Sequence, residues 1–426
     1  MVSSSTPNLL GTPVRISVCI PAYNRPAELR ELLESIATQD CAPHEVVICE
    51  DNSPQRADIA AVVAEMQDGL GGRIRYFENA ENLGYDGNYR EFIRRATGDY
   101  CLVMGNDDVL APGALATVAD VVRRTPDVGV ILRSLAYFRG EPARYHTISR
   151  YYPDELRFPP GLDTVTQFYR RAGFVSGLVF RREDALASAT SRYDGLVYYQ
   201  MYVVASILRH RPGVIVPEVL AYYREGAQKA FGTNPREQLR FTPGDQNAIP
   251  EALGLVECIF GIARGFDEQH ATDLFRRVRR DFARHSLATF VHHGDQSWRE
   301  YGQLYAGLWR MGLWRHPHFH ASAAAVAVLG VHRVRRLTSL ARRRLGYTPT
   351  PGDRPRRAVV LRSPALGTRP HVAPLPGAAP RAVSSSALRP GQDRTTRTVE
   401  PPLEGGQAGG RSSDASSPEP RPGLRR

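Results

Sequence analysis

Residues 100–110 read YCLVMGNDDVL, an apolar run that ends in two adjacent carboxylates, Asp107 and Asp108. A Gly-Asp pair precedes the run and a Pro-Gly pair follows it. A short apolar run between turn residues predicts a fully buried strand. Strands buried on both faces are typical of parallel sheets covered by helices. Ligands of such sheets bind beyond the carboxyl ends of the strands, so both carboxylates are expected at a binding edge.

The two carboxylates themselves favour a cation site. Adjacent carboxylates repel each other unless a positive charge lies between them. A divalent cation that also binds phosphate oxygens commonly supplies that charge. The alternative is a solvated turn that contains two acids, and the spacing alone leaves both interpretations open.

The segments on the amino-terminal side predict the other strands of this sheet. Apolar runs at 15–21, 45–49 and 73–77 alternate with segments whose apolar residues recur at helical spacing. This alternation predicts an α/β fold with a parallel sheet and right-handed crossovers. Pro26 is expected in the first turn of the helix after the first strand. The pattern also predicts a helix near 89–96, a long loop over 137–160 and strands at 213–217 and 220–224. Polar loops follow the four predicted strands at what should be one edge, at 23–25, 50–53, 82–88 and 106–108. Their convergence is stronger evidence of a site than any single loop.

Two common phosphate-binding motifs are missing from the chain. No GxGxxG follows the first predicted strand, and no GxxxxGK[ST] occurs anywhere. The sequence therefore supports neither a dinucleotide-binding Rossmann turn nor a P-loop.

Five motifs follow one another along the predicted strands: VCIPAYNR at 18–25, EDNS at 50–53, NLG at 82–84, ATGDY at 96–100 and NDD at 106–108. Together they resemble the successive motifs of family 2 glycosyltransferases of the GT-A fold. The resemblance covers roughly residues 14–225. It implies a Rossmann-like, mostly parallel sheet with flanking helices. It also implies that the chain moves a sugar from a nucleoside-diphosphate sugar to an acceptor hydroxyl.

The resemblance also implies roles in binding the donor. Tyr23 would stack against a pyrimidine base and Asp51 would accept from its N3–H, which favours a UDP- or dTDP-sugar. Arg25 would donate charge-assisted hydrogen bonds to the diphosphate. Gly84 is expected to adopt an unusual backbone angle. The full set of expected donor-binding residues is Pro21, Ala22, Tyr23, Arg25, Asp51, Asn82, Gly84, Asn106 and Asp107.

Asp107 and Asp108 are the expected metal ligands. Mg²⁺ or Mn²⁺ prefers oxygen ligands, and such an ion acts as a Lewis acid on the departing diphosphate. The family's usual acid-any-acid signature has an acid two residues before Asp107, where this chain has Gly105. We expect Asp107 to bind the metal and Asp108 to support the metal and phosphate or to act catalytically on the acceptor side.

The general base is less clearly marked. An inverting transfer needs a base for the acceptor hydroxyl. The family usually carries Glu-Asp at the head of the helix that follows the acceptor strand, which 174–182 resembles. Tyr199 and Gln200 stand near that place. Asp194 is the nearest carboxylate and the candidate base, although it also suits an ordinary turn before Gly195.

The main hypothesis is an inverting, metal-dependent glycosyltransferase of polysaccharide biosynthesis, acting on a glycan or lipid-linked acceptor. One alternative is a catalytically degenerate protein that binds a nucleotide sugar but has no base. A second is a nucleotidyltransferase on a related sheet, which would need a triphosphate loop rich in glycine and cations. The loop at 21–26 offers Arg25 as its one cation, which disfavours the second alternative.

Composition divides the chain into four parts. The predicted parts are a flexible N-terminus (1–13), a GT-A catalytic domain (14–230), a helical C-terminal region (236–345) and a tail rich in Pro, Arg and Ser (346–426). The tail has too little apolar surface to offset chain entropy, so it is predicted to be disordered.

The chain is strongly basic, with a formal charge of +11 and a pI near 9.6. Nucleic acid, an anionic membrane or phosphate-bearing substrates would each suit this charge. No zinc-finger or RNP-type motif is present, so no nucleic-acid partner is predicted. The arginine-rich segment 333–344 predicts either an amphipathic helix in peripheral contact with an anionic membrane surface or a packed helix with a solvated basic face.

The cysteines and the N-terminal sequence predict where the protein resides. The five cysteines are odd in number and form no CxxC pair, which suits a reducing compartment. The first 13 residues lack the pattern of a signal peptide, and no apolar stretch reaches the roughly 20 residues of a membrane span. The predicted location is cytoplasmic, with peripheral contact at the inner face of the cell membrane.

Overall fold

The computed structural model describes residues 13–226, 234, 237, 249–293, 297–347 and 358–360. The predicted flexible N-terminus and the predicted disordered tail lie almost wholly outside these residues. The strands of the described chain are β1 (Ile16–Ala22), β2 (Glu45–Glu50), β3 (Ile74–Glu78), β4 (Tyr100–Val103), β5 (Val109–Leu110), β6 (Val130–Phe138), β7 (Thr147–Ser149), β8 (Leu156–Phe158), β9 (Leu178–Arg181), β10 (Gly213–Arg224) and β11 (Val359–Val360).

Helices alternate with the first strands and then dominate the C-terminal half. They are α1 (Pro26–Ala37), α2 (Arg56–Met66), α3 (Gly84–Arg95), α4 (Ala114–Arg124), α5 (Leu162–Tyr169), α6 (Arg182–Ala187), α7 (Tyr199–Leu208), α8 (Ile249–His270), α9 (Leu274–His292), α10 (Trp298–Arg310), α11 (Pro317–Leu329) and α12 (Val331–Leu345).

The strands form one mixed sheet in the order β11-β8-β10-β6-β9-β4-β1-β2-β3. The four strands predicted from the strand–helix alternation, β3, β2, β1 and β4, are mutually parallel. Beyond β4 the antiparallel β9 joins them to β6, which pairs in parallel with β10. The α/β fold class with flanking helices is confirmed, and the antiparallel pairings belong to the half of the sheet beyond β4.

Both faces of the central strands are buried, as the apolar runs predicted. Within β4, Leu102 enters one hydrophobic cluster while Cys101 and Val103 enter the cluster on the opposite face. Within β1, Val18 and Cys19 divide in the same way. Successive side chains of a strand point to opposite faces, so a strand covered on both sides reads as continuously apolar.

Three local expectations were wrong. The helix expected from Tyr89 begins five residues earlier, at Gly84, because the left-handed backbone of this glycine turns the chain directly into α3. The segment 137–160, expected as a long loop, contains β7 and β8, which pair with β6 and β10. The two strands expected at 213–217 and 220–224 are one strand, β10, with register shifts between Ile215 and Ala221.

The C-terminal region is helical, as predicted. Helices α8 and α9 pack through Phe260, whose ring lies 5.5 Å from that of Phe275 and 5.3 Å from that of Phe282. Helix α9 in turn packs on α11 through Phe290 and Phe319. Among the described residues, no helix is both long enough and apolar enough to span a bilayer.

Candidate active site

A tight turn after β1 presents the first predicted site residues. Asn24 and Arg25 both adopt left-handed backbone angles, with φ of 56° and 66°. Non-glycine residues rarely adopt these angles, and they persist where surrounding contacts hold them. Here Gln55 accepts from the Arg25 N–H, and Asn106 donates to the Asn24 carbonyl at 2.9 Å. Pro26 then starts α1 in the first-turn position that the sequence predicted.

Asp51 organises one side of this turn. Its carboxylate is buried and accepts from the Asn79 amide and the Leu83 N–H, both at 2.8 Å. Burial raises the pKa of Asp51 to about 6, although these donors oppose the rise. The Tyr23 hydroxyl lies close enough to Asn82 and Asp51 for both to influence its pKa, which links the β1 turn to the same corner. We call Tyr23, Asp51, Asn82 and their loop neighbours the base corner.

The loop of the base corner is held from both sides. Asn82 Oδ1 accepts from the Gly84 N–H at 2.9 Å, and Gly84 has the predicted left-handed φ, here 74°. Asn234 donates to Asn82 Oδ1 at 2.6 Å. Glu237 accepts from the Tyr85 N–H at 3.1 Å. These contacts fix the loop on which Asn82 lies.

Asp107 and Asp108 lie on the other side of the turn. Arg25 Nη1 lies 2.7 Å from Asp107 Oδ2. Asp108 is buried and accepts from the Ser176 hydroxyl at 2.5 Å and from the Arg224 N–H at 2.9 Å. Burial and the adjacent Asp107 charge raise the pKa of Asp108 to about 8. We call this cluster the carboxylate corner.

The carboxylate corner has the donor set that a divalent cation needs. A Cβ built on Gly105 would lie 3.1 Å from Asp107 Oδ1 and 3.5 Å from Asp108 Oδ2. An oxygen of each carboxylate therefore lies beside the space that a larger side chain at position 105 would occupy. No group of three or more His, Cys, Asp or Glu side chains suited to a metal occurs among the described residues. Mg²⁺ typically binds one or two carboxylates together with substrate phosphates, so two converging carboxylates fit such an ion.

Asp194 lies in a different environment. It forms a two-point ion pair with Arg90, and its side chain remains 43% exposed. Both residues line a cavity of about 250 Å³ whose wall does not include Asp107 or Asp108. The other lining residues are Leu83, Gly84, Tyr85, Asp86, Gly87, Gly195 and Glu237.

Asp86 borders the same cavity and holds the start of α7. Its two carboxylate oxygens accept from the Val197 and Tyr199 N–H groups at 2.9 and 3.0 Å. Burial raises the pKa of Asp86 to about 7. Near the place where the resemblance led us to expect Glu-Asp, the buried Gln200 accepts from the Tyr85 hydroxyl at 3.0 Å. A neutral, engaged amide at this position cannot act as a base.

The turn at 23–25 joins the two predicted groups of donor residues. Tyr23 contacts the base corner and Arg25 contacts the carboxylate corner, while Ala22, at the end of β1, is paired in register with Glu50. Pro21 precedes it in the same strand. The cavity that Asp194 lines shares Leu83 and Gly84 with the base corner but includes neither carboxylate of the carboxylate corner.

Sequence reasoning missed two residues of the carboxylate corner and one acid beside the Asp194 cavity. No sequence motif marks Ser176, yet its hydroxyl is a hydrogen-bond donor to Asp108. Arg224 closes the carboxylate corner through its backbone and through its side chain, which donates to the Asp107 carbonyl. Asp86 follows the NLG motif by two residues in a polar stretch, NLGYDGNYRE, so nothing in the sequence distinguishes it from a solvated acid.

Comparison with known proteins now identifies the class. Residues 17–187 match the family model described as Glycosyl transferase family 2. The matched segment, less than half of the chain, is similar to this family and contains the base corner loops and the carboxylate corner up to Ser176.

Two relatives indicate how far this similarity reaches. The chain is 34% identical over 113 residues to abequosyltransferase RfbV of Salmonella typhimurium, covering 26% of this chain and 34% of that protein. It is 33% identical over 105 residues to GalNAc(5)-diNAcBac-PP-undecaprenol beta-1,3-glucosyltransferase of Campylobacter jejuni, covering 24% of this chain and 33% of that protein. The chain thus matches about a third of the length of these relatives.

Among solved structures, the chain is similar to S. aureus TarS 1-349 in complex with UDP-GlcNAc. The TM-score is 0.48 at 14% identity, over 78% of this chain and 93% of that one. It is also similar to a Pyrobaculum calidifontis mannosyltransferase in complex with GDP-Man and Mn²⁺. There the TM-score is 0.42 at 16% identity, over 75% and 88% of the two chains.

Proposed function

We propose that the protein is an inverting, metal-dependent glycosyltransferase. It would move a sugar from a nucleoside-diphosphate sugar to a hydroxyl of a glycan or lipid-linked acceptor. The observation that carries this proposal is the turn at 23–25. Tyr23 of this turn lies at the base corner, and Arg25 contacts the carboxylate corner. A base-binding corner and a diphosphate-binding corner joined by one rigid turn match the two ends of a nucleotide.

The base corner suits a pyrimidine. Asp51 accepts hydrogen bonds from the Asn79 amide and from the Leu83 N–H. A carboxylate offers about four acceptor positions, so acceptor capacity remains for a base N3–H. The half-buried Tyr23 supplies an aromatic face at the same corner. A UDP- or dTDP-sugar is therefore the proposed donor.

The carboxylate corner suits the diphosphate. Asp107 and Asp108 would hold Mg²⁺ or Mn²⁺ through the oxygens that converge above Gly105. The ion would supply Lewis-acid neutralisation of the leaving diphosphate. Arg25 already lies against Asp107, so its guanidinium is positioned to donate to a phosphate oxygen as well.

Asp194 remains the proposed base. In the transfer, the acceptor oxygen bonds to the anomeric carbon, the bond from that carbon to the diphosphate breaks, and the hydroxyl proton passes to the Asp194 carboxylate. Arg90 would hold that carboxylate in place. The undecaprenol-linked acceptor in the name of the C. jejuni relative supports a glycan or lipid-linked acceptor.

The competing function is a protein that binds the donor without transferring it. The neutral Gln200 at the family's acid position favours this alternative. The two functions separate in the behaviour of Asp194→Asn. This variant should lose transfer if Asp194 is the base, and should match the parent protein if no transfer takes place.

Donor binding and transfer test the proposal directly. The full chain is screened by thermal shift against UDP-, dTDP- and GDP-sugars, with and without Mn²⁺ or Mg²⁺, because a ligand of the folded state raises its melting temperature. Asp107→Ala should abolish the metal-dependent part of the shift. Asp127→Ala is the matched control, because Asp127 also pairs with an arginine at 2.7 Å but precedes the amino end of β6, away from the carboxyl ends of the strands. No shift with any donor would refute the proposal.

A membrane contact is the last part of the proposed function. On α12, Leu337 and Leu340 are 57% and 48% exposed. Helical spacing places Arg333, Arg336 and Arg344 on the same face, and all three are exposed. Exposed leucines flanked by arginines are typical of helices that lie on anionic lipid. We propose that this face makes peripheral contact with the inner, cytoplasmic surface of the membrane, and the five free cysteines suit that reducing compartment.

Vesicle sedimentation tests the membrane contact. The protein should sediment with vesicles containing anionic phosphatidylglycerol and stay in solution with neutral phosphatidylcholine. The double variant Leu337→Asp with Leu340→Asp should lose sedimentation. Leu186→Asp, at an exposed leucine of the catalytic segment, should keep it. Equal sedimentation of both variants would refute the contact.

A further inference from the structure

An exposed aromatic ring lies close to the carboxylate corner. Of the large apolar side chains described between residues 13 and 226, two are exposed, Phe174 at 38% and Leu186 at 39%. Single exposed apolar residues are common and need no explanation. Phe174 differs from Leu186 in its surroundings, because it is part of a group of aromatic rings.

Three rings contact one another at this place. The Phe174 ring lies 5.3 Å from Tyr223 and 6.1 Å from Tyr137, in both cases edge to face. Tyr137 and Tyr223 lie 5.4 Å apart. Such edge-to-face packing stabilises the rings in fixed orientations. Phe174, Tyr137 and Tyr223 therefore form a rigid aromatic platform with one exposed member.

The platform adjoins the carboxylates through its own backbone connections. Phe174 lies two residues before Ser176, and the Ser176 hydroxyl donates to Asp108. Tyr223 directly precedes Arg224, whose N–H donates to the same carboxylate. After burial, the charges of Asp108 and Asp107 are the largest causes that raise the pKa of Tyr223. The ring cluster and the carboxylate corner are thus neighbours on the described surface.

A buried arginine fixes the loop that carries the exposed ring. Arg133 is fully buried and donates to the carbonyls of Phe174 and Ser176, each at 2.6 Å. Gly177 has a left-handed φ of 75°, and a Cβ there would lie 3.1 Å from Arg133 Nε. The loop is therefore held against the guanidinium, and the position of Phe174 follows from the same contacts that position Ser176.

We propose that this aromatic platform binds the pyranose ring of the acceptor, as a saccharide subsite beside the carboxylate corner. This inference rests on the proposed function, since it assigns the acceptor side of the same site. Sugar rings present an apolar face of C–H groups, which packs on an aromatic ring, and an edge of hydroxyls, which donate to carboxylates. Ligand sites combine aromatic walls with a few polar groups in this way. The platform thus selects a glycan acceptor and orients its hydroxyls toward the donor.

Saturation-transfer NMR tests the platform with defined probes. The full chain is mixed with methyl glycosides of glucose, galactose, mannose and N-acetylglucosamine, and in a separate arm with farnesyl phosphate. At least one glycoside should receive saturation. Phe174→Ala should weaken that binding at least tenfold, while Phe174→Tyr should retain it. Leu186→Ala, an equally exposed control, should leave it within about twofold of the parent, because Leu186 belongs to no ring cluster.

Two results would overturn the subsite. In the first, no glycoside receives saturation although the protein still shows a donor-dependent thermal shift. The other is saturation of farnesyl phosphate, lost in Phe174→Ala, with no glycoside bound, since this would assign the platform to a prenyl chain. Donor binding is measured on the same samples. Absence of donor binding in the parent protein would instead refute the proposed function, so failure of the subsite and failure of the proposed function are distinguishable.

Discussion

Two arginine–aspartate pairs of this protein have opposite settings. Arg25–Asp107 has side chains that are 16% and 21% exposed, beside the fully enclosed Asp108. Arg90–Asp194 has side chains that are 24% and 43% exposed, at the edge of a small cavity. Exposed ion pairs contribute little to stability, typically about 0–1 kcal/mol. Buried charges are expensive to desolvate, and their attraction often does not offset that loss.

Because the two pairs differ in burial, they differ in how strongly they indicate a functional site. Asp108 has a raised pKa and lies next to a second carboxylate, which the fold would avoid if stability alone mattered. Strained electrostatics of this kind are concentrated at functional sites. Asp194 carries no such signature in its geometry, because a solvated aspartate beside an arginine is an ordinary surface feature. The carboxylate corner therefore supports the proposal more strongly than Asp194 does.

The largest expected effect tests the buried side of this comparison. Asp107→Asn should lower kcat for transfer by about 10³-fold, because a neutral amide would hold the metal ion that neutralises the departing diphosphate much more weakly. Steady-state transfer with a UDP-sugar and Mn²⁺ measures it. Asp127→Asn should remain near the parent rate, and equal losses in both variants would point to folding rather than chemistry.

The second effect tests the exposed side. Asp194→Asn should lower transfer at least about 10²-fold, the usual contribution of a general base. The donor-dependent thermal shift should be unchanged, because Asp194 is not among the residues proposed to bind the donor. If the variant keeps the parent rate, Asp194 is not the base. The carboxylate corner would then contain all the residues to which a catalytic role is assigned.

The third effect concerns the support of Asp108. Ser176→Ala should lower transfer about 10- to 30-fold and reduce the free energy of unfolding by about 1–3 kcal/mol, because a buried carboxylate loses a hydrogen-bond donor. Urea unfolding and transfer rates measure the two quantities. Ser188→Ala provides the control, since the Ser188 hydroxyl donates to a backbone carbonyl away from the site. A fully active Ser176→Ala would mean that Asp108 does not need this donor.

The smallest effect is a pH dependence at the base corner. Burial raises the pKa of Asp51 to about 6, so the free carboxylate is mostly protonated at pH 5. If the ionised form accepts the base N–H, the donor Kd should rise about tenfold between pH 7 and pH 5. Calorimetric titration at constant metal concentration measures it. Asp51→Asn should bind more weakly at pH 7 and lack this step.

The same shift sets the sign of a stability effect. The folded protein binds the Asp51 proton more tightly than the unfolded chain, whose pKa is near the ordinary value of 3.8. Asp51 therefore opposes folding above about pH 6, and this opposition decreases as the pH falls toward 4. A smaller pH slope of the unfolding free energy in Asp51→Asn would confirm the sign. An unchanged slope would contradict the shifted pKa.

Most of the donor side could be predicted from the sequence. The strand β4, the turn at 23–25 and the acids that follow each strand were marked by apolar runs and loop residues that stand close to one another in the chain. In a parallel sheet the carboxyl ends of strands meet at one edge, so local patterns were enough to place these loops together. The unusual backbone angle predicted for Gly84 is also confirmed, because it depends on the missing side chain of this one residue.

The acceptor side could not be predicted in this way. Ser176 and Arg224 meet Asp108 from positions 68 and 116 residues away in the chain. No periodicity links such positions, because their approach depends on an antiparallel pairing of β9 with β4 and of β10 with β5. The aromatic platform has the same origin, since Tyr137 and Tyr223 lie side by side in the register of β6 and β10.

The amino-acid sequence by itself determined a parallel αβ core, the resemblance to family 2 glycosyltransferases, and the acids and the turn of the proposed nucleotide site, because each of these depends on hydrophobic periodicity or on residues adjacent in the chain. The tertiary structure alone decided which donors hold Asp108, that Asp194 lies at a separate cavity, and that aromatic rings adjoin the carboxylates. The physical reason is that long-range strand pairing brings these groups together, and the burial that raises the pKa of Asp51 and Asp108 exists only in the packed state.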